Sequence, residues 1–107
     1  MAATAMPVDI AFDHLRLAEI CRRHHVARLE LFGSRATGQA RQDSDVDLLV
    51  TFAVGFTPGL EFFAFADELE QLFGRHVDLL TRARVERDGN HRFRDNVLAA
   101  AETVYGS

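Results

Sequence analysis

Three aspartates are the residues of this sequence whose type and spacing point most directly to chemistry. Two of them, Asp45 and Asp47, lie two positions apart in a stretch with the pattern of a strand, so both carboxylates project from the same face. Like charges held this close repel one another, and a divalent cation between them removes that cost. Mg²⁺ suits such a site, because it takes oxygen ligands and combines one or two protein carboxylates with substrate phosphates.

The third aspartate, Asp78, lies within an apolar run at 77–80, where an unpaired ionised group is expensive to bury. If this run forms a strand beside the one that carries Asp47, Asp78 reaches the same site, because neighbouring strands lie about 4.8 Å apart. Three carboxylates on adjacent strands can hold two cations, the arrangement used for phosphoryl and nucleotidyl transfer. We therefore predict that Asp45, Asp47 and Asp78 are catalytic residues that bind metal.

A glycine–serine pair, Gly33-Ser34, follows the preceding strand-like stretch. A glycine directly after a strand lets the backbone approach a ligand closely, and the serine hydroxyl and nearby N–H groups can donate to phosphate oxygens. If a helical turn begins near Ser34, its N-terminus adds a favourable dipole. Arg35 and Arg41 are further candidates, because a guanidinium matches phosphate geometry. We predict phosphate binding at Gly33, Ser34 and Arg35.

Hydrophobic periodicity predicts the elements that must position these residues. Apolar residues at three- and four-residue steps indicate a helix that begins with Asp9 as its N-cap and ends in the basic run at 22–25. A second helix begins at Thr57-Pro58 and ends at Gly74. The other predicted elements are strands at 26–32, 45–52 and 76–81, an irregular polar segment at 82–90, a helix at 91–101, and a short edge strand or tail at 102–105.

Mixed helices and strands predict an α/β (α+β) fold: a small mixed sheet of three to four strands, with helices packed mainly on one face. The 107 residues, 48% hydrophobic and 26% charged, are typical of one globular domain over 1–107 with a loose start at 1–8. No apolar run approaches the roughly 20 residues that span a bilayer, and no signal peptide is readable. With Cys21 as its single cysteine, we expect a cytoplasmic protein that does not contact a membrane.

The charge balance argues against broad, charge-driven binding of nucleic acid. Sixteen acidic residues against twelve basic residues give a net charge of -4, whereas nucleic-acid binding usually shows a basic face. A small ligand that carries phosphate is compatible with this balance, because it needs only a few local donors. The absence of lysine from the sequence excludes a lysine nucleophile. We expect no direct nucleic-acid partner.

The motifs together resemble the nucleotidyltransferases of the DNA polymerase β superfamily. That family's pattern is a Gly-Ser pair, a spacer, Asp-x-Asp and a later strand carboxylate, and here ten residues separate Ser34 from Asp45. Within the superfamily the chain is similar to the minimal nucleotidyltransferases, the MntA-like antitoxins. The segments that carry the similarity are 31–38, 43–50, 77–80 and 93–105. The resemblance covers nearly the whole chain and implies a polymerase β-like nucleotidyltransferase fold.

The resemblance also implies a function. Members of this group bind ATP or another nucleoside triphosphate with Mg²⁺, so Asp45, Asp47 and Asp78 would hold two ions, and Asp78 would help to activate the acceptor hydroxyl. Gly33 and Ser34 would cradle the β- and γ-phosphates. Such proteins are usually encoded beside a HEPN-domain toxin, often an RNase. The implied function is protein AMPylation, the transfer of AMP to a hydroxyl of that toxin, expected to be a tyrosine, by the antitoxin of a type VII-like toxin–antitoxin pair.

A second hypothesis belongs to a different class of protein. A non-catalytic binding antitoxin would neutralise the HEPN partner by occlusion, with the carboxylate site vestigial or structural. Five of the nine phenylalanines fall within 52–65, and they suit either a core or an apolar surface that docks a partner helix or another copy of the chain. Phe56 and Phe63 are the best candidates for exposure. The intact set of three aspartates favours the enzyme.

Overall fold

A computed structural model describes residues 12–32 and 45–106 of the chain. It confirms the predicted α/β fold class, with a mixed sheet of four strands at its centre. The predicted order of the longer elements is also confirmed. The elements are α1 (His14–Arg23), β1 (Val26–Phe32), β2 (Val46–Phe52), α2 (Glu61–Phe73), β3 (Val77–Thr81), α3 (Arg82–Glu86), α4 (His91–Ala100) and β4 (Glu102–Gly106).

The sheet has the strand order β3-β2-β1-β4. Strand β1 is antiparallel to both β2 and β4, whereas β2 and β3 are parallel. Parallel neighbours need a crossover connection of a dozen or more residues, and α2 supplies it. Because of this crossover, β2 and β3 begin at the same edge of the sheet. The residues at the start of β2 and at the start of β3 are therefore neighbours.

One face of the sheet is closed by α1 and α2. The buried residues of these helices, such as Leu17, Ile20, Phe65 and Leu69, pack against alternate residues of the strands in one apolar cluster. Each fully buried side chain of this size contributes about 1.5–3 kcal/mol relative to an exposed one. Cys21 lies in the same cluster, and burial raises the pKa of its thiol to about 12. The thiol is therefore a protonated core group rather than a nucleophile.

The opposite face carries the shorter helices. Helix α3 packs on β2 and β3, and α4 packs on β1. Their contact is a second cluster of four buried residues, Phe32, Leu49, Val85 and Val97. The expectation of helices mainly on one face therefore describes α1 and α2, whereas α3 and α4 add a smaller layer on the other side. In the two described ranges, 12–32 and 45–106, no helix is long and apolar enough to cross a bilayer.

Two helix starts differ from the sequence prediction. Helix α1 begins at His14, where the carboxylate of Asp13 accepts hydrogen bonds from the N–H groups of Leu15 and Arg16 at 3.0 and 3.2 Å. The prediction of Asp9 as N-cap was wrong, because the apolar stripe also fits a start one turn later, where Asp13 offers the same cap. Helix α2 begins at Glu61 without a side-chain cap, after the predicted Thr57-Pro58 start.

The segment predicted as irregular contains a helix. Helix α3 begins directly after β3, and the Thr81 hydroxyl caps it by accepting from the N–H of Arg84 at 3.3 Å. The predicted end of α2 is confirmed, since Gly74 ends the helix in the left-handed conformation, which glycine adopts without strain. The segment predicted as a short edge strand or tail is the edge strand β4.

Candidate active site

Two of the predicted aspartates lie side by side at one edge of the sheet. Asp47 on β2 and Asp78 on β3 occupy the same register position on parallel strands, which places their backbones about 4.8 Å apart. On the other side of Asp47, its partner on β1 is Phe32. The alternation of the strands directs this row toward the face that α3 and α4 partly cover. Asp45 lies one residue before β2 begins.

These carboxylates are accessible to a ligand. Asp45 and Asp78 are exposed, and Asp47 is half-buried. The residues that flank them in the strands, Val46, Val77 and Leu79, are buried in the closed core. The apolar neighbours therefore fix the strands, and the acidic side chains are left on the open side. This is the local reason why an Asp-x-Asp pattern can be held on a strand.

The donor chemistry of this edge fits Mg²⁺. Among the residues in 12–32 and 45–106, no three His, Cys, Asp or Glu side chains form a ready-made metal cluster. Magnesium does not require one, because it usually takes one or two protein carboxylates and completes its shell with waters and substrate phosphates. Asp47 and Asp78 provide such a pair. The assignment of all three aspartates as metal ligands and catalytic residues stays a prediction.

The predicted phosphate-binding residues Gly33, Ser34 and Arg35 lie outside the described residues, as does Arg41. The described part of β1 ends at Phe32, the residue that directly precedes Gly33 in the chain. Phe32 is also the register partner of Asp47. The Gly-Ser pair therefore follows the strand that borders the carboxylate row, and its binding of phosphate stays a prediction.

Sequence comparison decides the family. The family model described as a nucleotidyltransferase domain matches residues 15–102. This chain belongs to the nucleotidyltransferase domain family. The prediction of a nucleotidyltransferase is confirmed, and its substrate is accordingly a nucleotide.

Individual nucleotidyltransferase relatives agree with this assignment. Protein adenylyltransferase MntA of Thermococcus cleftensis is 37% identical over 68 residues, which cover 64% of this chain and 68% of that protein. A solved structure of a candidate minimal nucleotidyltransferase is 37% identical with a TM-score of 0.64, and the match covers 83% of this chain and 86% of that one. The resemblance to minimal nucleotidyltransferases is confirmed.

The fold also matches a chain from a more distant complex. In the structure of a tri-AMPylated Shewanella oneidensis HEPN toxin with its MNT antitoxin, the matched chain is 18% identical to this nucleotidyltransferase with a TM-score of 0.57. The match covers 88% of this chain and 70% of that one. At this identity the likeness concerns the fold alone.

A buried ion pair next to the nucleotidyltransferase site was missed by sequence reasoning. Glu30 on β1 is 6% exposed and lies on the same face as Phe32. Nη1 of the Arg82 guanidinium donates to both carboxylate oxygens of Glu30, each at 2.8 Å. Arg82 also donates from Nε to Glu86 at 2.9 Å. The hydrogen bond to Glu30 raises the pKa of Arg82, so this guanidinium stays charged.

The ion pair ties the first residue of α3 to the sheet. Glu30 pairs in register with Leu49, so the contact lies one position along the face from the row of Phe32 and Asp47. Its role is to position α3 over the strands rather than to touch a substrate. The sequence signal was present but ambiguous, because Glu30 fits the alternation of β1 as well on a solvated face as under a helix.

The phenylalanine-rich segment is divided between core and surface. Phe65 is fully buried, and Phe63 is 67% exposed, as predicted. Phe56 is half-buried rather than exposed, because its ring stacks on His25 with the ring centroids 4.4 Å apart. Val54 and Leu60, which belong to the same segment, are also exposed. The three exposed apolar side chains Val54, Leu60 and Phe63 are called the apolar surface of this segment.

Proposed function

We propose that this chain is a Mg²⁺-dependent protein adenylyltransferase that transfers AMP from ATP to a tyrosine hydroxyl of a HEPN-domain toxin, as the antitoxin of that toxin in the cytoplasm. The observation that carries the proposal is the register pair Asp47–Asp78 at the accessible edge of the sheet in a chain of the nucleotidyltransferase family. The relative named a protein adenylyltransferase and the complex with an AMPylated HEPN toxin support the acceptor and the antitoxin role. A single domain over 1–107 carries this activity.

The proposal assigns a role to each predicted site residue. Asp45, Asp47 and Asp78 would hold Mg²⁺, which neutralises the charge that develops on the triphosphate. Gly33, Ser34 and Arg35 would contact the β- and γ-phosphates. Asp78 lies on the edge strand β3, where an acceptor has the freest approach, and its carboxylate would take the proton of the acceptor hydroxyl.

The proposed transfer needs two groups: the acceptor hydroxyl is the nucleophile, and the Asp78 carboxylate is the base. The acceptor oxygen forms a bond to the α-phosphorus of ATP, and the bond from that phosphorus to the oxygen bridging to the β-phosphate breaks. Pyrophosphate leaves, and the hydroxyl proton goes to the Asp78 carboxylate. Catalysis of this kind consists mainly of positioning and electrostatic stabilisation, which a small scaffold can supply.

A second candidate function is a binding antitoxin that acts by occlusion. The observation that favours it is the apolar surface of Val54, Leu60 and Phe63, in which Leu60 is 85% exposed. Exposed apolar patches on small proteins commonly mark interaction sites. This surface is compatible with both functions, because a catalytic antitoxin must also dock its partner.

Neutralisation by a site-deficient variant separates the two functions. The variant carries Asp45→Asn, Asp47→Asn and Asp78→Asn together and is co-expressed with the cognate HEPN-domain toxin. The catalytic proposal expects loss of protection against the toxin. The matched control is Asp67→Asn, which removes an exposed carboxylate from α2 on the other side of the molecule and should retain protection. Continued protection by the triple variant would establish occlusion instead.

A further inference from the structure

A small cavity lies beside the carboxylate row, on the face that α3 and α4 cover. Its volume is about 110 Å³, and its lining is Leu80, Arg84, Val85, Asp88 and Phe93. Leu80 follows Asp78 by two residues on β3 and projects from the same face. Because a strand rises about 3.3 Å per residue, the Cα atoms of Asp78 and Leu80 are roughly 6.5 Å apart. Asp78 is not part of the lining, and Leu80 is the residue that links the cavity to the strand that carries this aspartate.

The lining suits a flat apolar ring. Val85 is buried, Leu80 is half-buried, and Phe93 is 39% exposed, so its ring is reachable from outside. The volume is of the order of the roughly 150 Å³ apolar cavity that accepts benzene in another protein. Arg84 and Asp88 are the charged members of the lining. Asp88 also accepts the N–H of Asn90 at 2.8 Å, which holds the turn between α3 and α4.

Two rings are candidates to occupy the cavity, the adenine of the nucleotide and the ring of the acceptor. The position of the cavity favours one of them. Across the sheet, the row runs from Phe32 on β1 through Asp47 to Asp78 on the edge strand. The predicted phosphate-binding pair Gly33-Ser34 follows Phe32. In phosphoryl transfer the attacking and leaving oxygens lie roughly in line. On the proposed binding of the β- and γ-phosphates by Gly33-Ser34, pyrophosphate leaves on the β1 side, and the attacking hydroxyl then approaches from the β3 side, where the cavity lies.

We propose that this cavity is the subsite for the phenol ring of the acceptor tyrosine and that it holds the ring so that its hydroxyl meets Asp78. This inference rests on the proposed function. It assigns Leu80, Val85 and Phe93 as the residues that select an aromatic acceptor over serine or threonine. A hydroxyl on a short aliphatic side chain leaves the cavity unfilled and gains none of this contact.

Phe93→Ala tests the subsite in the full reaction with the HEPN protein. Because Phe93 is partly exposed, its truncation removes one wall of the cavity without opening the core. We expect the KM for the HEPN protein to rise about three- to tenfold, the range that one lost aromatic contact gives, and the KM for ATP to stay within about twofold. The control is Leu15→Ala, which truncates an exposed apolar side chain on α1, on the opposite side of the sheet.

The kinetic outcomes discriminate between the occupants. A higher KM for ATP with an unchanged KM for the HEPN protein would place adenine in the cavity and overturn the proposal. Unchanged values for both substrates would also overturn it. If Leu15→Ala raises the KM for the HEPN protein as much as Phe93→Ala does, the effect is not specific to the cavity and the proposal is overturned.

A binding experiment keeps the inference separate from the proposed function. Backbone amide resonances of the isotope-labelled full chain are followed while 4-methylphenol, and separately adenosine, is added. We expect 4-methylphenol to shift Leu80, Arg84, Val85 and Phe93, and adenosine to leave them unchanged. If the wild type transfers AMP but 4-methylphenol leaves these amides unmoved, the subsite fails while the proposed function stands. If they move but no transfer occurs, the ring site stands and the proposed function fails.

Discussion

The same strands form both faces of the sheet, but the two faces differ in burial and in charge. The face under α1 and α2 is closed by fully buried apolar side chains such as Leu48 and Leu69. Among residues 12–32 and 45–106, the face under α3 and α4 has four buried residues in its apolar cluster, next to the Glu30–Arg82 ion pair, the small cavity, and Asp47 and Asp78. Alternation along each strand thus separates stability from chemistry within a few residues.

This division teaches where a small domain can place charge. The closed face anchors the strands, so the strands can carry carboxylates on their other side at little structural cost. A 107-residue chain buries a limited share of its surface, and one well-packed face must supply most of its stability. Substitutions on the closed face should therefore change stability, and substitutions in the carboxylate row should change activity.

The largest expected effect is on activity. Asp47→Asn should lower the rate of AMP transfer at least about 10²–10³-fold, the loss that removal of one preorganised electrostatic group commonly causes. The variant should stay folded, because Asp47 is only half-buried and asparagine keeps the shape of its side chain. Transfer from labelled ATP and urea denaturation measure the two quantities, with Asp67→Asn as the control. Retained transfer in Asp47→Asn would remove this row from the active site.

The next effect is on stability from the closed face. Leu69 is fully buried between α2 and the sheet, so Leu69→Ala should lower the free energy of unfolding by about 2–5 kcal/mol. The rate of transfer per folded molecule should change little. Urea denaturation gives the first quantity, and transfer normalised to the folded fraction gives the second. A large loss of transfer in fully folded Leu69→Ala protein would show that the two faces are not independent.

A smaller effect should follow from the buried ion pair on the open face. Glu30→Gln keeps the shape of the side chain but removes the buried charged partner of Arg82 and leaves only the exposed Glu86. Removal of one member of a buried pair is destabilising, and because Arg82 is partly exposed we expect a loss of about 1–3 kcal/mol in urea denaturation. Glu86→Gln, which leaves the Glu30–Arg82 contact in place, is the control. Equal losses in both variants would contradict a special role for Glu30 in holding α3.

The smallest effect concerns charge outside the sheet. Glu68 on α2 accepts from Arg23 and from His24, both at 2.7 Å. Both hydrogen bonds lower the pKa of the Glu68 carboxyl, and the bond from Arg23 has the larger effect. A carboxyl with a lowered folded-state pKa adds stability above its unfolded pKa of about 4.3, and this stability is lost as the pH falls through the folded value.

Glu68→Gln should therefore lower the free energy of unfolding only at a pH where the Glu68 carboxyl of the wild type is ionised. We expect it to cost about 1 kcal/mol or less near neutral pH, and the difference from wild type should shrink as the pH falls below about 4. Urea denaturation of both proteins at several pH values measures it, with Glu102→Gln, which changes an exposed carboxyl on β4, as the control. A difference that grows on acidification would contradict this account of Glu68.

The two faces also explain which features the sequence could reveal. The strands were predictable because their apolar residues alternate, and β1 has the predicted bounds. The pairing of Asp47 with Asp78 was predictable as soon as β2 and β3 were taken as neighbours. Helix α3 was missed, because five residues are too few for a helical period to stand out.

Contacts between residues distant in the chain were beyond the local pattern. The Glu30–Arg82 pair joins residues 52 positions apart, and alternation along β1 does not say whether Glu30 faces water or a helix. The start of α1 was misplaced for a local reason, since Asp9 and Asp13 can both serve as a cap. The binding of phosphate by Gly33, Ser34 and Arg35 stays a prediction.

The most direct test of the central claim is the intact mass of the cognate HEPN-domain protein after incubation with this chain, ATP and Mg²⁺. The account predicts a gain of one or more AMP units, which disappears when Mg²⁺ is chelated and when Asp47→Asn replaces the wild type. An unchanged mass, with a stable complex between the two proteins, would contradict transfer at the Asp47–Asp78 edge and would identify the chain as an antitoxin that acts by occlusion.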